Sequence, residues 1–442
     1  MPIKDFIIAS LNIQPDKIQT LDTVVRDNVL TVYLTLVPQQ TECIFCGGPC
    51  RSKGLQAQTI KTLDTAGLQT VIIWKRRRYI CKDCERSFSE ENPLSPPNMS
   101  GSYILINEIL KDLHNLDLTY QAIAERHHIS VSTVQLYADS YVRAPRQYLP
   151  ENLGIDEIHS DMAKYGSKYL CVMVDNQNRC LTEILPSRSK RYLSNYFEDI
   201  PKEERDRVLY VTMDMWLPYK EVALKYLKNA EIAVDPFHVV EHLTTAFTRL
   251  RVDITGSLPH DSASYYLLKK WYKLLNTDYN LDNTPKYNNF FKQKLNYRDL
   301  YQMLLQISPD LTLAYQLKEM FRDFIHNCTF EEAPKQLQNL IDVFTEADLP
   351  CYAEFVQTIR TWSAEIINSF RRPYNDRKQS NAFTEYINRQ LKTAIVVSNG
   401  YSNFDRFRAR SLFSLNGHVF GSITKQLTSA KRQGKKRGPY KK

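Results

Sequence analysis

No stretch of the chain approaches the ~18 consecutive apolar residues of a membrane-spanning helix. The opening Met1-Pro2-Ile3-Lys4-Asp5, followed by only a short apolar run, lacks the layout of a signal peptide. A membrane or secreted protein is thereby disfavoured, and the cytosol is the expected compartment. No internal repeat is evident. Nor does charge of one sign dominate: 58 Lys and Arg face 49 Asp and Glu, and the net charge of +9 favours a polyanionic partner without identifying one. What is present is the composition of a folded chain, 43% hydrophobic and 24% charged over 442 residues. That length calls for two or more packed units, with disorder expected only at the ends.

Five of the nine cysteines, Cys43, Cys46, Cys50, Cys81 and Cys84, fall in one N-terminal stretch. In a reducing cytosol this reads as metal binding rather than disulfides. Cys43 and Cys46 form one Cys-x-x-Cys knuckle and Cys81 and Cys84 another, each offering two thiolates to a single structural Zn²⁺. The 34 residues 47–80 between them exceed the usual ribbon spacing and leave room for a β-hairpin, with residues 71–74 and 76–79 as its strands. Cys50 is the less regular alternative ligand. The basic run of Lys75, Arg76, Arg77 and Arg78 is offered to a DNA backbone.

Residues 104–113 have helical spacing, and 118–134 read as a helix-turn-helix, with a plain helical hairpin as the alternative. Thr119 can cap the first helix, Ala122, Ile123 and Ile129 can pack the corner, and Ser130 can cap the second. Ser132, Thr133 and Gln135 are then exposed, of the kind that reach base edges and phosphates in a major groove. From Asn152 the periodicity changes to short apolar strands at 153–158, 169–174, 180–185, 208–213 and 231–234, with helices at 190–199 and 217–227. The order βββαβαβα is that of the ribonuclease H-like fold. Residues 245–370 show helical spacing without strand alternation and read as a helical insertion whose aromatics, such as Trp271, Phe321 and Trp362, are core. The basic tail 431–442 is expected to be disordered and to touch DNA backbone.

Strand alternation turns Asp156 away from Ile155 and Glu157, and Asp214 ends the strand 208–213. These two strands are central neighbours, so both carboxylates can converge at one edge and need a third oxygen donor. Glu385 supplies it from a helix whose Asn381, Glu385, Asn388 and Lys392 make one face and whose Ala382, Tyr386 and Ile387 make another. Asn388, Arg389 and Lys392 are then placed to bind phosphates. Asp235-x-x-His238 stands where the fifth strand passes into a helix. Asp235 is either that helix's cap or, with His238, part of the catalytic site.

The paired knuckles followed by Phe88, Gly154-Ile155-Asp156-Glu157, Met213-Asp214-Met215-Trp216 with Tyr219, Asp235-Pro236-Phe237-His238, and Ser380-Asn381 with Glu385, Asn388 and Lys392 resemble the ISL-three family of bacterial insertion-sequence transposases. The match extends through Asn399-Gly400-Tyr401 to Phe407-Arg408 and Arg410, nearly the whole chain. Tyr386 departs from the pattern, which has Gly after the acidic residue. The resemblance implies a DDE transposase in the bacterial cytoplasm, associated with the nucleoid. Such an enzyme would bind terminal inverted repeats and target DNA, act as at least a dimer, and cut and join strands with Mg²⁺ or Mn²⁺ held by Asp156, Asp214 and Glu385. The competing reading is a domesticated, inactive DNA-binding regulator; an unrelated nuclease and a tyrosine recombinase fit the motifs less well. The expected layout is multidomain α+β. It comprises a zinc-binding unit at 1–92, a helix-turn-helix at 93–150, a ribonuclease H-like core begun at 151–244, the all-helical insertion at 245–370, the final acidic helix and C-terminal part of the core at 371–428, and the tail at 429–442.

Overall fold

The protein is described by a computed structural model covering residues 8, 13–38, 42–276, 283–373, 378–398 and 400–416. The basic tail lies outside the described residues. The chain forms two compact units, 1–145 together with 393–442, and 146–392. No helix among the described residues is long and apolar enough to cross a membrane.

The first unit opens with a sheet of order β1-β2-β4-β3. β1 (Ile18–Arg26) and β2 (Val29–Leu36) form an antiparallel hairpin closed by Asp27 and Asn28. Both turn residues have positive φ, the geometry that matches strand twist in a two-residue turn. β3 (Cys50–Lys61) pairs antiparallel with β4 (Gln69–Cys81), and β5 (Ser87–Ser89) adds to β4. Residues 71–74 and 76–79 were expected as two strands of a hairpin, but they belong to the one strand β4. Ile72 and Trp74 pack into one buried cluster and Tyr79 and Cys81 into another, and β3 is its true hairpin partner.

Three helices follow, each started by a hydroxyl cap. Ser102 caps α1 (Tyr103–Leu113), Thr119 caps α2 (Tyr120–Arg126) and Ser130 caps α3 (Val131–Tyr141), each accepting from a backbone N–H three residues on. Their shared core is Leu105, Ile106, Ile109, Leu113, Ile123, Val134 and Tyr137.

The second unit is built on the sheet β10-β9-β6-β7-β8. β6 (Asn152–His159), β7 (Tyr169–Asp175) and β8 (Cys180–Leu185) form an antiparallel meander. After α4 (Lys190–Glu198) and the single turn α5 (Lys202–Arg205), β9 (Tyr210–Met213) returns parallel to β6. After α6 (Leu217–Tyr226), β10 (Glu231–Val234) lies parallel to β9. One sheet face packs Leu153, Ile155, Cys171, Met173, Val211 and Met213 against Leu193, Phe197, Val222 and Tyr226 of α4 and α6. Period-two alternation therefore sends Gly154, Asp156, Thr212 and Asp214 to the other face.

α7 (Pro236–Ser257) leads from β10 into a helical region with its own core around Leu243, Phe247, Phe321, Phe344, Phe355 and Trp362. Its helices are α8 (Ala263–Lys270), α9 (Tyr297–Leu305), α10 (Pro309–Asn327), α11 (Ala333–Glu346), α12 (Ala353–Thr361) and α13 (Ser363–Asn368). The region is not all helical: β11 (Lys286–Asn288) and β12 (Gln293–Leu295) form a small hairpin. Its strands are three residues each and mostly polar, too short to show alternation.

The last described helices are α14 (Ala382–Val397) and α15 (Phe404–Leu415). The segment after Lys392 was expected to finish the second unit's core; α15 belongs to the first. Phe413 enters the core of α1 to α3, and the buried Arg410 donates to the carbonyls of Leu113, Asn115 and Leu118. Arg406 pairs with Asp139 through two hydrogen bonds of 2.9 and 2.7 Å. Two chain segments far apart in sequence thus share one unit, which a reading of local patterns cannot show.

Candidate functional site

Three groups of side chains able to hold a metal are present among the described residues, one of thiols and two neighbouring sets of mostly carboxylates. In the first unit the Sγ atoms of Cys43, Cys46, Cys81 and Cys84 all lie within 4.8 Å of one another. Cys43 and Cys84 stand at 3.7 Å and Cys46 and Cys81 at 3.5 Å, close to the ~3.8 Å edge of a tetrahedron with metal–sulfur bonds of ~2.3 Å. The N–H groups of Phe45, Asp83 and Cys84 point at Cys43 and Cys81 sulfurs, and Gly47, at φ +74°, turns the chain just after the first knuckle. Cys50 stays outside the cluster, its thiol directed to the Gly48 carbonyl. The four expected thiolates fit a structural Zn²⁺.

In the second unit the register of β6 on β9 sets Ile155 beside Met213, which puts Asp156, midway along β6, next to Asp214, just past the carboxyl end of the parallel β9. Asp156 is buried and accepts from Asn388 Nδ2 at 2.6 Å and from the Glu157 amide at 2.7 Å. Asp214 Oδ1 lies 2.7 Å from His238 Nε2 in α7, and His238 Nδ1 lies 3.3 Å from Glu241. Asp235 caps α7 by accepting from the Phe237 amide at 2.9 Å, while its other oxygen accepts from the Asn381 amide at 2.8 Å. Asn381 Nδ2 also donates to the Ile155 carbonyl at 3.2 Å. The start of α14 is therefore fastened both to β6 and to the β10–α7 junction.

The expected trio of Asp156, Asp214 and Glu385 does not form one metal-sized cluster. Ligand atoms of Asp156, Glu157 and Asp214 lie within 4.8 Å of one another, and those of Asp235, His238 and Glu385 do likewise. The His238–Asp214 contact joins the two sets. Glu157, which alternation turns away from Asp156, nonetheless brings a carboxylate oxygen into the first set. Its other partner is Arg188, whose guanidinium is sandwiched between the rings of Tyr169 at 4.0 Å and Trp216 at 4.5 Å. Glu157 and Asn381 stood among the residues that carry the resemblance, without a stated role, whereas Arg188 carried no signal as part of the site.

The electrostatics follow from burying like charges together. Burial, reinforced by Asp214, pushes the Asp156 carboxyl up to about 7. Burial also raises Glu157, against the pull of Arg188, and raises Glu385, with Asp235 adding to it. For His238 burial disfavours the imidazolium, but its bond to Asp214 and the charges of Asp214, Asp235 and Asp156 outweigh this and hold its pKa at about 9. Carboxylates outnumber the two cations, His238 and Arg188, that face them. Glu157 Oε2 is buried without a hydrogen-bond partner, and the Asp156, Glu157 and Asp214 set is all oxygen, the donor type that suits Mg²⁺ or Mn²⁺.

The side of α14 turned to the sheet carries Asn381 and Asn388 of the expected polar face, joined by Ile387 from the other face. Asn381, Thr384 and Asn388 are buried with Ile387 and Leu391, whereas Tyr386 is 51% exposed. Asn388 was expected on phosphates, but it is closed in against Asp156; Arg389 and Lys392 are exposed. Arg76 and Arg77 are half-buried and engaged by protein, Arg76 on the Glu90 carbonyl and Arg77 on the Leu36 carbonyl and Gln19. Arg78 is half-buried in β4. Ser132 is exposed, while Thr133 and Gln135 are half-buried, and the Thr133 hydroxyl meets Ser130 at 2.8 Å.

Comparison with known proteins gives a consistent result. A family model described as transposase, of the DDE and ISL-three type, matches residues 153–411, and one described as the zinc-finger of transposases IS204, IS1001, IS1096 and IS1165 matches residues 39–84. The chain is 25% identical over 395 residues to the transposase for insertion sequence element IS1001 of Bordetella parapertussis, covering 86% of this chain and 89% of that protein. It is 23% identical over 322 residues to the transposase for insertion sequence element IS1557 of Mycobacterium tuberculosis, covering 67% and 68% respectively.

Proposed function

The chain belongs to the DDE-type ISL-three family of transposases, and from that premise we propose that it binds the terminal inverted repeats of an insertion sequence, cleaves the DNA there and joins the ends to a target. The observation that carries this reading is the strand register that sets Asp156 beside Asp214, with Glu385 on α14 across the His238 contact. The sheet order, with an antiparallel meander extended by two parallel strands from its first member, supports a ribonuclease H-like core. The short turn between the capped helices α2 and α3 supports a helix-turn-helix.

Asp156, Asp214 and Glu385 would hold the catalytic ions, with Glu157 adjoining. Two divalent ions bound there supply activation of water or a 3′-hydroxyl and stabilisation of the leaving oxygen. Asn388 orients the Asp156 carboxylate, and Asp235 fixes where α7 and α14 begin, a positioning role. His238 lends Asp214 a positive partner until a metal takes its place. Arg389 and Lys392, exposed on α14, are placed for phosphates, as is Ser132 at the start of α3. Synapsis of two ends calls for at least two copies of the chain.

The test is incubation of the full zinc-loaded chain with duplexes carrying the flanking element ends and Mg²⁺. End cleavage by the native chain, lost in Asp156→Asn, Asp214→Asn and Glu385→Gln, is the expected result. Binding of the ends without cleavage by the native chain would favour an inactive DNA-binding regulator instead.

A further inference from the structure

The hairpin of β11 and β12 turns its two sides to different surroundings. Its register pairs Tyr287 with Lys294, between the pairs Lys286–Leu295 and Asn288–Gln293. Strand alternation therefore puts Tyr287 and Lys294 on one side and Asn288 and Leu295 on the other. Asn288 and Leu295 make the inner side. The buried Asn288 holds the turn, its Oδ1 accepting from the Phe290 and Phe291 amides at 3.0 and 3.2 Å and from the Tyr266 hydroxyl at 3.3 Å, while Leu295 packs on the core of the helical region. Tyr287 and Lys294 make the outer side, where Tyr287 is 62% exposed and Lys294 is exposed with it.

The turn extends this outer surface. Phe290 stacks flat on Tyr266 of α8, with ring centres 4.1 Å apart and planes 7° from parallel, and stays 42% exposed; Lys270, at the end of α8, lies over the same Tyr266 ring at 5.4 Å. Lys292 in the turn and Arg298 in the first turn of α9 are exposed as well. From Asn283 to Arg298 the chain carries four cations and no carboxylate. The next carboxylate, Asp299, is occupied in the capping box of α9, where it accepts from the Asn296 amide at 2.9 Å. Exposed aromatic rings set among cations mark an interaction surface, and the charge of one sign fits a polyanion. Lysine, arginine and tyrosine are side chains that meet the phosphates and sugars of a duplex, and a two-stranded β-ribbon is narrow enough to lie in its major groove.

We propose that the β11–β12 hairpin is a DNA-contact surface of the second unit, holding duplex phosphates without regard to sequence through Lys292, Lys294 and Tyr287, with Lys270 and Arg298 beside them. The proposal rests on the transposase reading above and adds a contact outside the surfaces that reading names. It gives the unit that carries the carboxylates its own hold on DNA, and a hold made of phosphate contacts suits a target of any sequence.

The experiment measures the affinity of the full zinc-loaded chain for a duplex of unrelated sequence between about 50 and 200 mM salt. Two neutralised phosphates add about 1.8 to the slope of log affinity against log salt, so across that range the native chain should lose about tenfold more affinity than the double variant Lys292→Gln with Lys294→Gln. Tyr287→Ala should weaken binding with the slope unchanged. Zinc content and melting temperature should stay native in these variants, since the outer side of the hairpin is exposed. A control pair of exposed lysines on α5 and after α6, Lys202→Gln with Lys228→Gln, removes the same charge and should keep the native slope. A native slope in the hairpin variant, or an equal fall in the control, overturns the proposal. Binding of element ends without binding of the unrelated duplex overturns it too and leaves the transposase reading standing. If the native chain binds neither duplex, the transposase reading itself fails and takes this proposal with it.

Discussion

The thiolate cluster and the carboxylate centre are both sets of metal-binding side chains, but they are built in opposite ways. The four sulfurs come from two tight turns at the ends of β3 and β4, in strands that pair directly. The carboxylates come from β6, β9, the β10–α7 junction and α14, with Glu385 171 residues beyond Asp214 in the chain. The sulfurs stand at tetrahedral spacing as they are. The carboxylates are divided into two sets bridged by His238, and the centre holds protons that ordinary carboxylates would have lost. A site whose ligands are neighbours in local structure is complete once that structure forms, whereas one assembled over long distances is held by second partners such as Asn381, Asn388 and Asp235.

The sharpest break between the two regions should come from substituting one ligand in each. Asp214→Asn is expected to lower end cleavage about a thousandfold, which is ~4 kcal/mol at ~1.4 kcal/mol per tenfold, while zinc content and DNA binding persist. Cys81→Ser should do the reverse, losing zinc and with it the fold of the first unit's ribbon, because such units draw their folding energy from the metal. Atomic absorption and gel-shift measurements on both variants decide this. Zinc loss in the first, or full zinc in the second, would erase the contrast.

Gly154→Ala probes the tightness of the carboxylate centre. A Cβ there would come within 2.6 Å of Thr384 Oγ1 and 2.7 Å of a Val174 methyl, forcing α14 away from the sheet at a cost of about 1–3 kcal/mol. A lowered melting temperature together with lower cleavage is the expected outcome, and an unchanged melting curve would show the helix to be loosely held. Glu157→Gln should cost less, about tenfold in cleavage. It removes one charge from the first carboxylate set while keeping the side chain's shape, and unaltered cleavage would exclude Glu157 from it.

The smallest effect is a pH dependence. Asp156 titrates at about 7 in the folded chain, above an ordinary carboxylate, and His238 at about 9, above an ordinary imidazole. In both cases the metal-free folded state binds more protons than the unfolded chain. Asp156 therefore destabilises increasingly as pH rises from the usual carboxylate range to about 7, and the stability that His238 supplies is lost as pH rises through about 9. A divalent cation replaces the missing positive charge without competing for the Asp156 proton once pH exceeds 7. Mn²⁺ should thus raise the melting temperature more at pH 8 than at pH 5.5. An equal rise at both would mean that the ion binds elsewhere.

Much of this was legible beforehand, for identifiable reasons. Thr119 and Ser130 announced their helices because a cap needs a particular side chain at one position, and all five strands of the second unit stood where apolar runs and turn residues put them. Alternation did not show, however, that Glu157, on the other side of β6, brings an oxygen within 4.8 Å of the Asp156 and Asp214 carboxylates. Amphipathic spacing set Ile387 apart from Asn381 and Asn388, with which it shares the buried side of α14, since the two asparagines look like surface residues until their partners, the Ile155 carbonyl and the Asp235 and Asp156 carboxylates, are in place.

The sequence by itself determined the zinc ligands, the helix starts and the strands that bring Asp156 and Asp214 together, because each depends on spacing within a few residues or on the period of a single element. Only the tertiary structure decided that Glu385 adjoins His238 and Asp235 rather than the first aspartate, that Asn388 serves Asp156, and that α15 closes the first unit through Arg410. Those outcomes rest on buried hydrogen bonds between polar groups hundreds of residues apart, and no local pattern in a chain records which distant partner will satisfy a polar side chain once water is excluded.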